Sequence, residues 1–224
     1  MKSPKLFGIF IFLLSLGVQV YPQVFRIQTG LNLSKMRVST DLDTRYYTRV
    51  HMGITADYTV GHYLSIEAGI SSSPKGFRTV TYGETTMGTH REVTLFGPNY
   101  VDISFNAKGT YDLENFRIFG FAGPFFAIGT GGKIKVIDYY DGEKAQTETI
   151  YLSWGPEEED NDVQYHLKRY DFGVSFGAGA EFRKVQLRLF YQLGIPDVNS
   201  SEESAQELRN RMIGISVGFR FAGS

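Results

Sequence analysis

The sequence predicts an all-β fold, an eight-stranded antiparallel up-and-down barrel, on three observations. Residues 211–221 alternate without a break: Ile213, Ile215, Val217, Phe219 and Phe221 fall on one face, and Met212, Gly214, Ser216, Gly218 and Arg220 on the other. A period of two is the signature of a strand. Six further segments repeat that pattern and a seventh is apolar on both faces, all separated by connections that alternate between short and long. The chain opens on a positively charged and then apolar stretch of the kind that directs secretion. Secretion combined with alternating strands and no second apolar helical run predicts a transmembrane β-barrel of an outer membrane.

The N-terminal segment carries Lys2 and Lys5 ahead of an apolar run over 6–20. That run is shorter than the ~20 residues a helical span needs. It reads as a cleaved signal peptide over 1–23, with the barrel domain over 24–224. Tyr21-Pro22-Gln23 offers no clean small-x-small cleavage site, and a retained N-terminal anchor is the alternative reading.

The strands follow in order. The first covers 24–34, with Phe25, Ile27, Thr29, Leu31 and Leu33 opposite Arg26, Gln28, Gly30 and Asn32. The second covers 48–60, where Val50, Met52, Ile54, Ala56 and Tyr58 alternate with Arg49, His51, Gly53, Thr55 and Asp57. The third starts at Tyr63 and puts Leu64, Ile66, Ala68 and Ile70 opposite Ser65, Glu67 and Gly69; beyond Pro74 and Gly76, residues 77–82 continue it. The fourth, 92–108, alternates Val101, Ile103, Phe105 and Ala107 with Asp102, Ser104, Asn106 and Lys108. Pro98 either demotes its first half or marks a bulge. The fifth, 116–137, is apolar on both faces through Phe119–Phe126, so its register stays open. The sixth, 165–182, sets Tyr170, Phe172, Val174, Phe176, Ala178 and Ala180 against Asp171, Gly173, Ser175, Gly177, Gly179 and Glu181. The seventh, 184–195, sets Val185, Leu187, Leu189 and Tyr191 against Gln186, Arg188, Phe190 and Gln192. The eighth is 211–221.

Residues 35–47, 72–91, 138–164 and 196–208 are long or polar connections, whereas 61–62, 109–115 and 183–184 are the shorter ones. An up-and-down barrel then has its long loops at one rim and its tight turns at the other, as outer-membrane barrels do. Alternation alone does not say which face points inward. The polar face is rich in Gly and Ser and carries mixed charge, which suits a narrow lumen better than a solvated exterior. A structural network of lumen side chains is expected at Arg26, Arg49, Glu67, Asp102, Asp171, Glu181, Arg188 and Arg220. A soluble barrel would reverse the faces.

Composition excludes some classes. A net charge of −1 with no long basic run removes the electrostatic case for nucleic-acid binding. The absence of Cys rules out disulfides and a lipid-modified cysteine. The 25 Gly, 14 Tyr and 18 Phe favour strands over amphipathic helices. None of His51, His62, His90 and His166 has a metal-type spacing to another ligand. His51 is expected to face the lumen. No G-x-S-x-G elbow occurs, since the two matching strings, at 173–177 and 214–218, fall inside alternating strands rather than at a strand-to-helix turn, and Gly129-Thr130-Gly131-Gly132-Lys133 lacks the P-loop spacing. The acidic run Glu157-Glu158-Glu159-Asp160 reads as a solvated loop tip, with Tyr151 and Trp154 beside it as an interface anchor or a partner contact.

Several stretches resemble the PorT-like outer-membrane β-barrel proteins of the Bacteroidota. They are Thr29-Gly30-Leu31-Asn32-Leu33-Ser34, Ser73-Pro74-Lys75-Gly76-Phe77, Asn99-Tyr100-Val101-Asp102-Ile103, Phe121-Ala122-Gly123-Pro124-Phe125, Asp171-Phe172-Gly173 and Gly218-Phe219-Arg220-Phe221. Ser104 after Ile103, where relatives carry Pro, and Ala222-Gly223-Ser224 after the last aromatic depart from the family pattern. The resemblance implies an outer-membrane barrel and no particular activity.

The expected function is non-enzymatic, with no catalytic, cofactor-binding or metal residues. It is a structural or interaction barrel presenting long surface loops. Its expected partners are outer-membrane lipids, the barrel-insertion machinery and a protein reached through the loops. A narrow transport channel and a soluble periplasmic lipocalin-like barrel are the alternatives.

Overall fold

A computed structural model describes residues 24–38, 43–85, 88–154, 166–199 and 207–223. The signal-peptide segment and the acidic run at 157–160 lie outside them. Among the described residues twelve strands form: β1 (Val24–Val38), β2 (Tyr47–Thr59), β3 (Leu64–Pro74), β4 (Phe77–Thr85), β5 (Gly88–Asp112), β6 (Arg117–Tyr140), β7 (Glu143–Tyr151), β8 (Ser153–Trp154), β9 (His166–Leu167), β10 (Tyr170–Phe182), β11 (Val185–Gly194) and β12 (Leu208–Gly223).

Eight of these pair in a cycle. β1 pairs with β2, β2 with β3, β3 with β5 and β5 with β6. β6 then pairs with β10, β10 with β11, β11 with β12, and β12 with β1. Every one of these ladders is antiparallel, and the result is an all-β barrel-like fold. Val24 lies opposite Gly223, so the first and last strands share a ladder.

The strand count differs from the eight expected because two of the long connections contain β-structure and because the predicted strand over 165–182 is divided into β9 and β10. The outer half of β5 leaves β3 at Pro74↔Asn99 and takes β4 as its new partner from Phe77↔Phe96. The outer half of β6 pairs with that of β5 and, on its other side, with β7. Residues 77–82, expected to continue the third strand, instead belong to a separate strand, β4, paired with β5, and the described part of 138–164 contributes β7 and β8. Their Thr, Val, Tyr and Ile residues carry the necessary β propensity. The β6–β7 connection is a tight Asp141-Gly142 turn with φ of 49° and 86°, the left-handed pair a two-residue hairpin uses. Pro98 sits inside β5, next to a bulge between Asn99 and Tyr100. Its carbonyl accepts from Lys75 N at 3.0 Å. The proline marks the place where β5 changes partner.

Burial is inverted relative to a soluble protein. Val50 is 62% exposed and Leu189 57%, whereas Arg26 is 2%, Glu67 0% and Asp171 0% exposed. Along β1, Ile27 and Leu31 face out while Arg26, Asn32 and Ser34 face in. The apolar packing that exists lies at the long-connection end, where Met36, Phe96, Ile134, Leu152, Leu167 and Val198 cluster.

Candidate functional site

The fifth predicted strand, whose register the sequence left open, builds the interior. Phe119, Phe121, Phe125 and Ala127 of β6 are buried, while Ile118 and Phe126 face out. Across the β6–β10 ladder, Phe125 lies opposite Gly173, Phe121 opposite Gly177 and Phe119 opposite Gly179. A Cβ on Gly179 would come within 2.4 Å of the Phe119 ring, and one on Gly177 within 2.8 Å of Phe121. Each ring lies over a glycine, so large and small residues alternate across neighbouring strands and fill the narrow space. Gly214 of β12 gives the same room to Phe190 of β11, whose ring a Cβ would meet at 2.1 Å.

The rings serve a second purpose. Lys108 Nζ stands 4.6 Å from the Phe119 centroid, Arg188 Cζ 3.6 Å from Phe121, and Lys75 Nζ 4.6 Å from Phe125. The three inward phenylalanines of β6 thus lie under three buried cations, in the geometry of cation–π attraction. This explains why β6 reads as apolar on both faces.

The carboxylates complete two clusters. Near the short-turn end, Arg26 donates from Nη1 to Asp57 Oδ2 at 2.6 Å and from Nη2 to Glu181 Oε2 at 2.7 Å. Lys108 donates to the same Asp57 oxygen at 2.7 Å and stands 3.6 Å from Glu67. Glu67 Oε1 accepts from Arg188 at 2.7 Å and from Asn106 at 3.0 Å, and Asn106 in turn accepts from Ser175. Here Arg26, Lys108 and Arg188 balance Asp57, Glu67 and Glu181. Nearer the long-connection end, Lys75 donates to Asp171 at 2.9 Å and lies 3.6 Å from Asp102. Asn210 also donates to Asp171, and Gln192 to Asp102. Between the clusters lies a cavity of about 40 Å³ lined by polar groups including Asn32, His51, Thr55 and Gln192. His51 packs edge-on against Phe190, with ring centroids 5.6 Å apart.

Six of the eight sequence-derived residues therefore lie in the two clusters: Arg26, Glu67, Asp102, Asp171, Glu181 and Arg188. Arg49 is half-buried and bonds to Asn99 Oδ1 at 2.7 Å and the Pro98 carbonyl at 3.2 Å, so it clamps β2 to the point where β5 changes partner. Arg220 lies apart, at the short-turn end, donating to the Arg183 carbonyl. Sequence reasoning missed Asp57, Lys75 and Lys108. Asp57 and Lys108 already stood on polar faces of alternating strands, whereas Lys75 falls between β3 and β4, outside any alternating run. Trp154 packs edge-on against Tyr100 at 5.2 Å and covers Gly129, where a Cβ would meet its ring at 2.3 Å. Among the described residues, no three His, Cys, Asp or Glu come together as metal ligands.

The family model for the outer membrane protein beta-barrel domain matches residues 24–199. The chain belongs to this family. It is an outer-membrane β-barrel protein, placed among outer-membrane lipids and dependent on the barrel-biogenesis machinery common to that class. No curated protein matches it. Similar solved structures include Ail, the attachment invasion locus protein of Yersinia pestis, at 12% identity over 90% of this chain and 100% of that one, with a TM-score of 0.39. Neisserial surface protein A is 15% identical over 88% and 97%, with a TM-score of 0.40. The N-terminal β-barrel domain of Pseudomonas aeruginosa OprF is 10% identical over 87% and 97%, with a TM-score of 0.32.

Proposed function

We propose that the pairing cycle is a closed eight-stranded transmembrane barrel whose lumen is a filled, charge-balanced scaffold, and that its function is to hold an interaction surface outside the cell. The inversion of burial carries this reading. A lipid phase can stabilise exposed Ile27, Val50, Leu189 and Phe219, and a closed ladder leaves no unpaired backbone in that phase. In a soluble lipocalin-like barrel those side chains would line a cavity instead. The short-turn end with both termini is then periplasmic, and the β4–β5–β6–β7 sheet with its neighbouring connections stands outside. That sheet and those connections are where a protein partner would bind. Residues 1–23 act as the signal peptide and 24–224 as the barrel domain, and the motif stretches support a place near the PorT-like members of the family.

A conducting role is disfavoured by two features. Ion pairs span the lumen at Arg26 and Glu67, and the outer mouth is packed with Met36, Leu152, Leu167 and Val198. The test compares boiled and unboiled envelope fractions on a gel, followed by planar-bilayer recording of the purified protein. The expected result is outer-membrane recovery, a boiling-dependent mobility shift and no stepwise conductance. Recovery in the soluble periplasm would overturn the barrel, and regular conductance steps would overturn the filled lumen.

A further inference from the structure

Four cations stand together on the outside of the barrel wall. Apart from Thr29, the outward positions of β1 and β12 are apolar up to the pair Leu33↔Ile213, and the next two outward pairs are Lys35↔Arg211 and Arg37↔Arg209. Like charges directly opposite each other across an antiparallel ladder are destabilising. Two such pairs in succession oppose the fold unless an anion lies over them. In the lumen this chain pairs its cations closely: Arg26, Lys75, Lys108 and Arg188 each have a carboxylate within 3 Å. Here the compensation is thin. Glu207 meets Arg209 at 3.0 Å, and Arg211 Nη1 donates to the Gly194 and Asn210 carbonyls. Among the described residues, Lys35 and Arg37 have no ion-pair partner, and Arg209 Nε is buried without a hydrogen bond.

We propose that Lys35, Arg37, Arg209 and Arg211 form a docking site for the phosphate groups of an outer-leaflet lipid. The inference rests on the membrane orientation proposed above. Two residues of strand rise about 7 Å, so the first cationic pair lies about that far beyond the last apolar pair. Lipid phosphates occupy this level, in the few-ångström headgroup layer beyond the hydrocarbon edge. One lipid would then meet both surfaces, with its chains on Leu31, Leu33, Ile213 and Ile215 and its phosphate on the cations. Guanidinium groups suit this anion because they present paired N–H donors to two phosphate oxygens. An acidic protein partner would satisfy the charges but would leave the adjoining apolar strip to a different molecule, so the lipid explains both features at once.

The test uses the full mature chain refolded into phosphatidylcholine vesicles, with or without a bis-phosphorylated glycolipid, and its dephosphorylated form as control. The readout is the urea midpoint of the boiling-sensitive mobility shift. In plain phosphatidylcholine, Lys35→Gln/Arg37→Gln is expected to be as stable as the unmodified protein or more so, because a like-charge repulsion is gone. With the phosphorylated lipid, the unmodified protein gains stability, the double variant loses most of that gain, and its apparent affinity for the lipid falls by about tenfold. Inorganic phosphate at matched concentration gives neither effect. An equal gain in both proteins, or a gain that the dephosphorylated lipid reproduces, would overturn the inference while leaving the barrel intact. If no boiling-sensitive band forms in any vesicle, the membrane reading falls and takes this one with it. Arg37→Gln alone carries the same comparison should the double variant fail to refold.

Discussion

Glu67 is the carboxylate that Arg188 and Lys108 share. It accepts from Arg188 and Asn106 and lies beside Lys108, all of them buried. Glu67→Gln keeps the shape but leaves one buried cation uncompensated, and breaking such a pair costs about 3–5 kcal/mol. Asp171→Asn is expected to cost less, because Lys75 retains Asp102 at 3.6 Å and two aromatic faces. Urea titration in vesicles should therefore rank Glu67→Gln below Asp171→Asn, and an inverted order would contradict the pairing described. Arg183 holds a left-handed φ of 55° in the β10–β11 turn. Arg183→Gly should raise stability by about 0.5–1 kcal/mol, since the backbone carbonyl that Arg220 uses remains. At this scale the sequence conveys which side chains turn inward, because a period of two is local. It does not convey which carboxylate meets which cation. Arg26 reaches Asp57 on one neighbouring strand and Glu181 on a distant one, and only closure of the cycle brings those three together.

β6 illustrates what a single strand conceals. Its run Phe119–Phe126 gives no alternation in hydropathy, since an inward ring over a cation reads the same as an outward ring in lipid. The register becomes legible only beside β10, whose Gly173, Gly177 and Gly179 are the complement of Phe125, Phe121 and Phe119. The hairpin at Asp141-Gly142 lies inside a stretch, 138–164, that reads from its polar composition as one long connection, although an Asp-Gly pair suits a two-residue turn. Such steric pairing makes a specific claim for Phe190 and Gly214. Gly214→Ala should destabilise by about 1–3 kcal/mol through overpacking. Phe190→Leu, which withdraws the ring edge, should recover part of that loss. A double-mutant cycle measures the coupling, and strictly additive effects would show that the two positions do not share space.

Over the whole molecule, the aliphatic cluster lies at one end while charge pairs interleaved with aromatic rings fill the middle, so the two ends should respond differently to the same perturbation. The chain's single tryptophan, Trp154, sits in the outer-mouth packing beside Tyr100. Its fluorescence should be shielded from an aqueous quencher in the folded protein, and Leu167→Ala in the neighbouring cluster should restore quenching without abolishing the boiling-dependent shift. Quenching as strong in the folded as in the unfolded protein would mean that the mouth is open. The ladder between β1 and β12 runs from Val24↔Gly223 to Val38↔Leu208, so the earliest of the described strands to be synthesised is completed by the latest of them. Until then both edges of the sheet lack partners, in surroundings where hydrocarbon offers none. Assembly thus has a waiting period built into it. A chain clipped before Leu208 would be a curled ribbon with two sticky borders rather than a slightly smaller barrel, and its fate would be decided by whatever holds those borders apart.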